Sequence, residues 1–318
     1  MKSKTAVEPM TIGERTFKER LIRDFKMNGA LYLIFLPLLI WYLLFRYKPM
    51  YGLLMAFQNY SPRKGILGSD WVGFKYFVEF LNNPEFWKLI RNTLKISIAT
   101  LIFGFPAPII LALMLNELRI KWFQRGINTV LYLPHFVSMM VICGLVVKFT
   151  SDQGLINDII AAFGGERKSF LNYPEYFLPV YVISGVWQTV GWGSIIYFAA
   201  LTGVDQQLYE AAMIDGAGRL KQTWHITLPG IMPTIVTMLI MQIGGLLNVG
   251  YEKVFLLYNP LTYETADIIT TYTYRMAIGE GTRYGYSTAV GMFNAIICFI
   301  LLIGSNKLSK KLGQSGLF

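Results

Sequence analysis

The chain has 318 residues, of which 54% are hydrophobic and only 15% charged, and its mean hydropathy is +0.43. Soluble domains carry about 25% charged residues, so apolar residues gathered in long blocks exclude an ordinary soluble domain and point to a polytopic membrane protein. The net charge of +10 does not mark a nucleic-acid binder, because the basic residues lie between apolar blocks rather than on one soluble face; basic flanks meeting anionic lipid account for it.

Residues 1–27 carry Lys2, Lys4, Arg15, Lys18, Arg20, Arg23 and Lys26. Within them "RTFKERLIRDFK" spaces Phe17, Leu21 and Phe25 four apart with basic residues between, which predicts an amphipathic helix on the inner leaflet. A first block of roughly 20 residues, about 28–47, predicts a spanning helix. It is longer than a signal peptide's apolar core and is followed by no A-x-A site, so it reads as a retained span. A long outer loop follows. "WVGFKYFVEF" is rich in aromatics, and "NNPEFWKLIRNT" offers Asn83 as a cap, Pro84 at the first helical position and Trp87 for the membrane interface.

Further spans are predicted at about 92–115, 127–149, 176–201, 231–251 and 286–305, within a membrane domain over 28–306. Pro37, Pro106, Pro108, Pro134, Pro179 and Pro233 fall inside five of the six blocks, which predicts kinked, mutually packed helices rather than isolated anchors. Before the last span, "LTYETADIITTYTYRMAIG" places Ile268, Ile269, Tyr272 and Met276 on one side and predicts a helix lying on the outer face. The tail, 307–318, adds Lys307, Lys310 and Lys311. Six crossings put both termini on one side, and the positive-inside rule makes that side the cytoplasm; the long first loop is also basic, but long loops count for less. Cys143 and Cys298 lie inside apolar blocks and read as packing residues. His135 and His225 are far apart with no Cys/His cluster, so no metal site is expected.

The loop over 204–230 is soluble in character. Leu208, Ala211 and Ala212 give a small helical surface, Gly216 and Gly218 turn the chain, "RLKQTWHITLP" supplies a second short helix, and Pro229 and Pro233 restart the chain into the fifth span. It is a rigid cytoplasmic knob without catalytic groups, suited to docking in a partner's cleft. It reads Glu210-Ala211-Ala212, three residues, Gly216, nine residues, Ile226, one residue, Leu228-Pro229. This resembles, at every fixed position, the E-A-A loop of the permease subunits of binding-protein-dependent ABC importers, E-A-A-x3-G-x9-I-x-L-P. "INTVLYLPHFVSMMVICGLVVKF" and "VWQTVGWGSIIYFAALTGVDQQLYEAAMIDGA" extend the resemblance to sugar permeases of the maltose type, and "NVGYEKVFLLYNPLTYETADIITTYTYR" resembles a branch importing complex oligosaccharides such as alginate and pectin fragments.

The resemblance implies an all-α membrane protein of six transmembrane helices with the type I ABC importer permease fold and cytoplasmic E-A-A coupling helices. It implies a second homologous permease, an ABC ATPase dimer and an extracellular or periplasmic solute-binding protein as partners, a carbohydrate substrate, and no cofactor. By position, Glu210, Ala211, Ala212, Asp215, Gly216, Ile226, Leu228 and Pro229 would couple to the ATPase, with Glu210 pairing with a basic residue there. A surface glutamate favoured by a helix dipole is the plain alternative for Glu210. The chain has no G-x-x-x-x-G-K-[ST] sequence, so the energy source is expected on another polypeptide.

Sugars are held by amide and hydroxyl groups beside flat aromatic faces. Trp187, Gln188, Thr189 and Trp192 on the fourth span, with Gln242, Asn248, Tyr251 and Glu252 on the fifth, offer that mixture and are the candidate pathway residues. Two plainer readings stay open: Gln and Asn also join helices by hydrogen bonds, and Trp favours interfaces. A stand-alone secondary transporter is the alternative function; it needs an ionisable coupling site within the spans, where acids are nearly absent.

Overall fold

The structure, a computed structural model, describes residues 17–118, 120–279 and 282–311, excepting the side chains of Phe17 and of residues 19–23. The termini, and the Phe17 and Leu21 members of the expected amphipathic face, lie outside the described residues. The chain divides into two units, 1–54 and 55–318.

In the first unit, helix α1 (Phe17–Tyr42) runs from the basic segment into the first apolar block, with a kink at Asn28, whose φ of −114° and ψ of 18° are not helical. Asn28 Nδ2 donates to Asp24 Oδ1 at 2.6 Å, and the Tyr32 hydroxyl donates to the same carboxylate, so polar contacts bracket the kink. The helix continues as a wider turn over Leu43–Tyr47, just ahead of Pro49. The same widening precedes Pro106, over Thr100–Gly104, and Pro229, over Thr223–Thr227. A proline has no N–H to give and its ring crowds the carbonyl four residues back; a widened turn lets the helix pass the ring without ending.

The second unit opens with a short antiparallel pair, β1 (Gln58–Asn59) and β2 (Asp70–Trp71). Helix α2 (Lys75–Leu81) leads to Asn83, whose Oδ1 accepts the Glu85 amide at 2.8 Å in the manner of a cap, ahead of α3 (Phe86–Ala99) and α4 (Pro106–Asn116). The third expected span, 127–149, is broken: α5 (Lys121–Phe136) and α6 (Met139–Thr150) meet at extended Val137 and Ser138. Pro134 leaves the last turn of α5 short of an amide, and the Ser138 hydroxyl accepts the Val141 amide at 3.4 Å, starting α6 afresh. Helix α7 (Leu155–Ala162) follows.

Helix α8 (Pro174–Leu201) is the 28-residue centrepiece. Phe177, Tyr181, Ser184, Gln188, Gly191, Ser194, Tyr197 and Leu201 are buried along it at spacings of three and four, one stripe of a regular helix. That stripe packs along α4 and α5 and touches α3, α6 and the helices described next. At Gly191 a Cβ would stand 2.1 Å from the Leu131 carbonyl oxygen, so α8 and α5 meet backbone to backbone.

Helix α9 (Gln206–Ile214), α10 (Arg219–Gln222) and α11 (Leu228–Gly244) follow. The fifth expected span, 231–251, ends early: α11 stops at Gly244, residues 245–250 are non-helical, and α12 (Tyr251–Leu257) begins anew. Gly245 and Gly250 flank the break, and glycine gives up more freedom than any other residue on entering a helix. The expected outer-face helix is also fragmented. Ile268 is extended, its amide taken by the Thr271 hydroxyl at 2.9 Å, and it parts a single turn over Tyr263–Ala266 from the longer Ile269–Tyr274 (α13). Helix α14 (Tyr284–Lys311) completes the described chain and exceeds the sixth expected span at both ends. At Gly244 a Cβ would stand 2.5 Å from Leu302, so this glycine lets α11 lie close on α14.

Among the described residues five helical stretches are long and apolar enough to cross a membrane. Helix α8 has the length but is not among them; glycines, Ser184, Gln188 and Thr189 dilute its apolar character.

Candidate functional site

Asp205 starts the helix–turn–helix of the 204–230 loop: its carboxylate accepts the Gln207 amide at 2.9 Å, capping α9. At the other end Gly216 has φ +71°, the Ala217 amide donates to the Ala212 carbonyl at 2.8 Å and the Gly216 amide to that of Met213 at 3.1 Å. That pair of bonds is a Schellman turn, which requires a left-handed residue at this position. The Tyr209 and Thr227 hydroxyls meet at 2.9 Å, and Gln222 donates to the Ala217 carbonyl at 2.8 Å, so α9 and α10 form one body. Arg219 pairs with Glu117 at 2.9 Å, joining this body to the end of α4 beside a polar cavity of about 420 Å³.

What the body leaves uncovered is informative. Leu208, Met213, Ile214, Leu220 and Trp224 are all exposed, Ile214 at 87% and Leu220 at 79%. Glu210 and Ala211 are exposed beside them, while Ala212, Ile226 and Leu228 are partly buried against the rest of the fold. Asp215 and Pro229 are exposed. Among the described residues Glu210 has no salt bridge, although Asp70, Glu79, Glu85, Glu117 and Asp158, also at the surface, do. Exposed large apolar side chains gathered on one small body often mark a surface that another protein covers.

The eight pathway candidates do not form one constellation. With about 100° between successive residues of a helix, Trp187 and Thr189 diverge to opposite sides of Gln188, which is buried in the stripe of α8. Trp187 borders two largely apolar cavities of about 520 and 640 Å³. The Thr189 hydroxyl donates to the Gly185 carbonyl at 2.9 Å on its own helix. Trp192 stacks face to face on His135 of α5, rings 4.6 Å apart, and keeps 48% of its surface open. Gln242 is partly buried in the last turn of α11.

Asn248, Tyr251 and Glu252 are brought together by the break after Gly244, and all three are exposed there. Asn294 of α14 donates to the Asn248 amide oxygen at 3.2 Å, a bond worth about 0.6 kcal/mol on average between membrane helices. Half-helices around unwound backbone present unpaired peptide groups where a polar solute passes, which is how many transporters build a binding site. Sequence reasoning missed the break, Asn294 and Lys253; the glycines at 244, 245 and 250 and a lysine amid apolar residues were the available signals.

Outside this region a polar cluster secures the segment ahead of α14. Asn92 donates to the Glu264 and Asp267 carbonyls at 2.8 and 3.1 Å, and Asp267, itself buried, pairs with Arg275 at 2.7 Å. Asn83 donates to the Tyr272 and Tyr286 hydroxyls, which also meet each other at 3.1 Å. Burial, and then the bond to Tyr286, push the Tyr272 phenol above its ordinary range. Among the described residues no group of His, Cys, Asp or Glu side chains comes together that would hold a metal ion.

Residues 104–314 match the family described as binding-protein-dependent transport system inner membrane component. Protein LplB of Bacillus subtilis is 49% identical over 294 residues, covering 92% of each chain. The polygalacturonan/rhamnogalacturonan transport system permease protein YteP of the same organism is 47% identical over 302 residues, covering 95% of this chain and 94% of its own. Among solved structures, a chain of the bacterial alginate ABC transporter in complex with an alginate pentasaccharide-bound periplasmic protein superposes with a TM-score of 0.86 at 42% identity, over 94% of this chain and 100% of that one. Matched over these lengths, this helical chain belongs to the family of binding-protein-dependent transport system inner membrane components.

Proposed function

We propose that this chain is one of two homologous permease subunits of an ABC importer for an acidic oligosaccharide, and that residues 205–229 dock in a groove of a separate ATPase. The observation that carries the coupling part is the exposed apolar patch around Glu210, set on a capped helix and a Schellman turn. In this reading six helices cross the membrane, α8 among them, both termini are cytoplasmic, and an external solute-binding protein delivers the sugar. Helix α8 is the least apolar of the spans because neighbouring helices, rather than lipid, cover much of it. Asn248, Asn294, Tyr251 and Glu252 at the broken helix line the route, together with Trp192.

The acidic character of the substrate is supported by relatives named for polygalacturonan and rhamnogalacturonan and for alginate. Binding of a panel of defined oligosaccharides to the cognate solute-binding protein tests it. Uronate oligomers are expected to bind at least about tenfold, or 1.4 kcal/mol, more tightly than their methyl esters. Equal affinity for acid and ester, or preference for neutral arabinan or maltodextrin fragments, would remove the acidic assignment.

A further inference from the structure

Lys253 is 4% exposed, in the first turn of α12. Its ammonium donates to the Tyr181 carbonyl of α8 at 2.8 Å and lies 4.6 Å from the centre of the Tyr181 ring. Tyr181 and Cys143 of α6, its neighbours, belong to an apolar cluster that also holds Val182 of α8 and Val249 and Val254 on either side of Lys253 in the chain. The neighbouring acid, Glu252, points out to the surface, and among the described residues no carboxylate lies within ion-pair distance of Lys253. A Cβ on Gly185 would stand 3.0 Å from the ammonium, so the glycine one turn beyond Tyr181 keeps the approach open.

Burying an ammonium is costly unless its protons are used. A leucine or methionine would fill this space at no such cost, but would hold α12 only by non-directional contact. The lysine instead fixes α12 to one particular carbonyl of α8. Helix α12 begins directly after the non-helical 245–250 segment, and α8 ends three residues before the Asp205 cap of the docking unit. The tether therefore connects the two regions through a single helix.

We infer that Lys253 is a positioning residue of the transport cycle: it ties the broken fifth helix to α8, so that movement imposed on the docking unit is carried to Asn248 and its neighbours. This rests on the importer reading given above. Without the tether α8 would still respond to the ATPase, while the 245–250 segment would follow it loosely.

The test uses the complete reconstituted transporter, with Lys253→Met, Lys253→Arg and Gly185→Ala, and reads ATP hydrolysed per sugar imported. For Lys253→Met, maximal uptake is expected to fall about tenfold while binding-protein-stimulated ATP hydrolysis stays within about twofold of the unaltered complex, an effect on turnover rather than on apparent KM. Lys253→Arg, which keeps the donor, is expected to restore most of the uptake. Gly185→Ala keeps the charge but crowds the ammonium, and is expected to raise the ATP-to-sugar ratio in the same direction; it also serves if Lys253→Met fails to assemble. Uptake and hydrolysis falling in step in the variants that assemble, or ratios unchanged in them, would reduce Lys253 to packing and overturn the inference. Absence of ATP-driven uptake in the unaltered complex would overturn the importer reading itself, and this one with it.

Discussion

Glu210→Lys is expected to abolish ATP-driven uptake while the chain still inserts and folds. The carboxylate is exposed on α9 within an apolar patch, and among the described residues it has no salt bridge. Reversing its charge disturbs nothing inside the chain, but places a cation against the basic residue expected in the ATPase groove. Breaking a charge pair from one side, once partly buried, costs about 3–5 kcal/mol, or roughly two to three and a half decades of affinity. The ATPase should therefore fail to co-purify, or should hydrolyse ATP without responding to sugar-loaded binding protein. Gly216→Val should have the same outcome by another route. The glycine has φ +71° with open space where a Cβ would go, so the penalty is conformational and falls on a β-branched residue most heavily. Gly216→Asn, which tolerates that region, should retain most of the activity. Normal stimulation in both Glu210→Lys and Gly216→Val would make this loop an ordinary connection.

The second large effect is structural. Gly191→Val should prevent stable assembly, because a Cβ there would stand 2.1 Å from the Leu131 carbonyl oxygen. Backbone cannot yield as a side-chain tip can, so α5 and α8 would have to part. Overpacking of this kind costs about 1–3 kcal/mol at minimum and more where whole helices move. Gly191→Ala should already lower the midpoint of thermal unfolding of the purified complex by several degrees. Gly144→Ala, with nothing within 4 Å of its added carbon, is the matched control and should be neutral. Equal melting of the Gly191→Ala and Gly144→Ala complexes would show that the α5–α8 contact is not close.

Much of this was legible in the chain itself, for identifiable reasons. The helix and turn over 206–218 were readable because their determinants are local: small residues, and a glycine at the position that needs a positive φ. Long apolar runs announced most of the helices, since length and hydropathy are sums over many residues. The breaks were less legible. Pro134 was read as a kink, yet it ends a helix because Ser138 stands ready to cap the next one. Gly244 packs on Leu302, and the Gly244–Gly245 pair also lets the helix stop. Whether a glycine packs or unwinds depends on what lies opposite, which no local window contains. Which pathway candidates share a face was not legible, because side chains adjacent in sequence diverge around a helix: Trp187 and Thr189 part, while Asn294, forty-six residues away from Asn248, meets it. Lys253 fell outside the expected span by two positions, and only the fold shows that it is buried.

ATP dependence of uptake tests the central claim most directly. Proteoliposomes would contain this chain, its partner permease and the ATPase, with the solute-binding protein and a labelled uronate oligosaccharide outside and nucleotide enclosed within. Accumulation is predicted to require enclosed ATP and the binding protein, to cease with a non-hydrolysable analogue, and to be unaffected by collapsing proton and sodium gradients. Accumulation driven by either gradient in the absence of ATP would contradict the account and identify the chain as a stand-alone carrier.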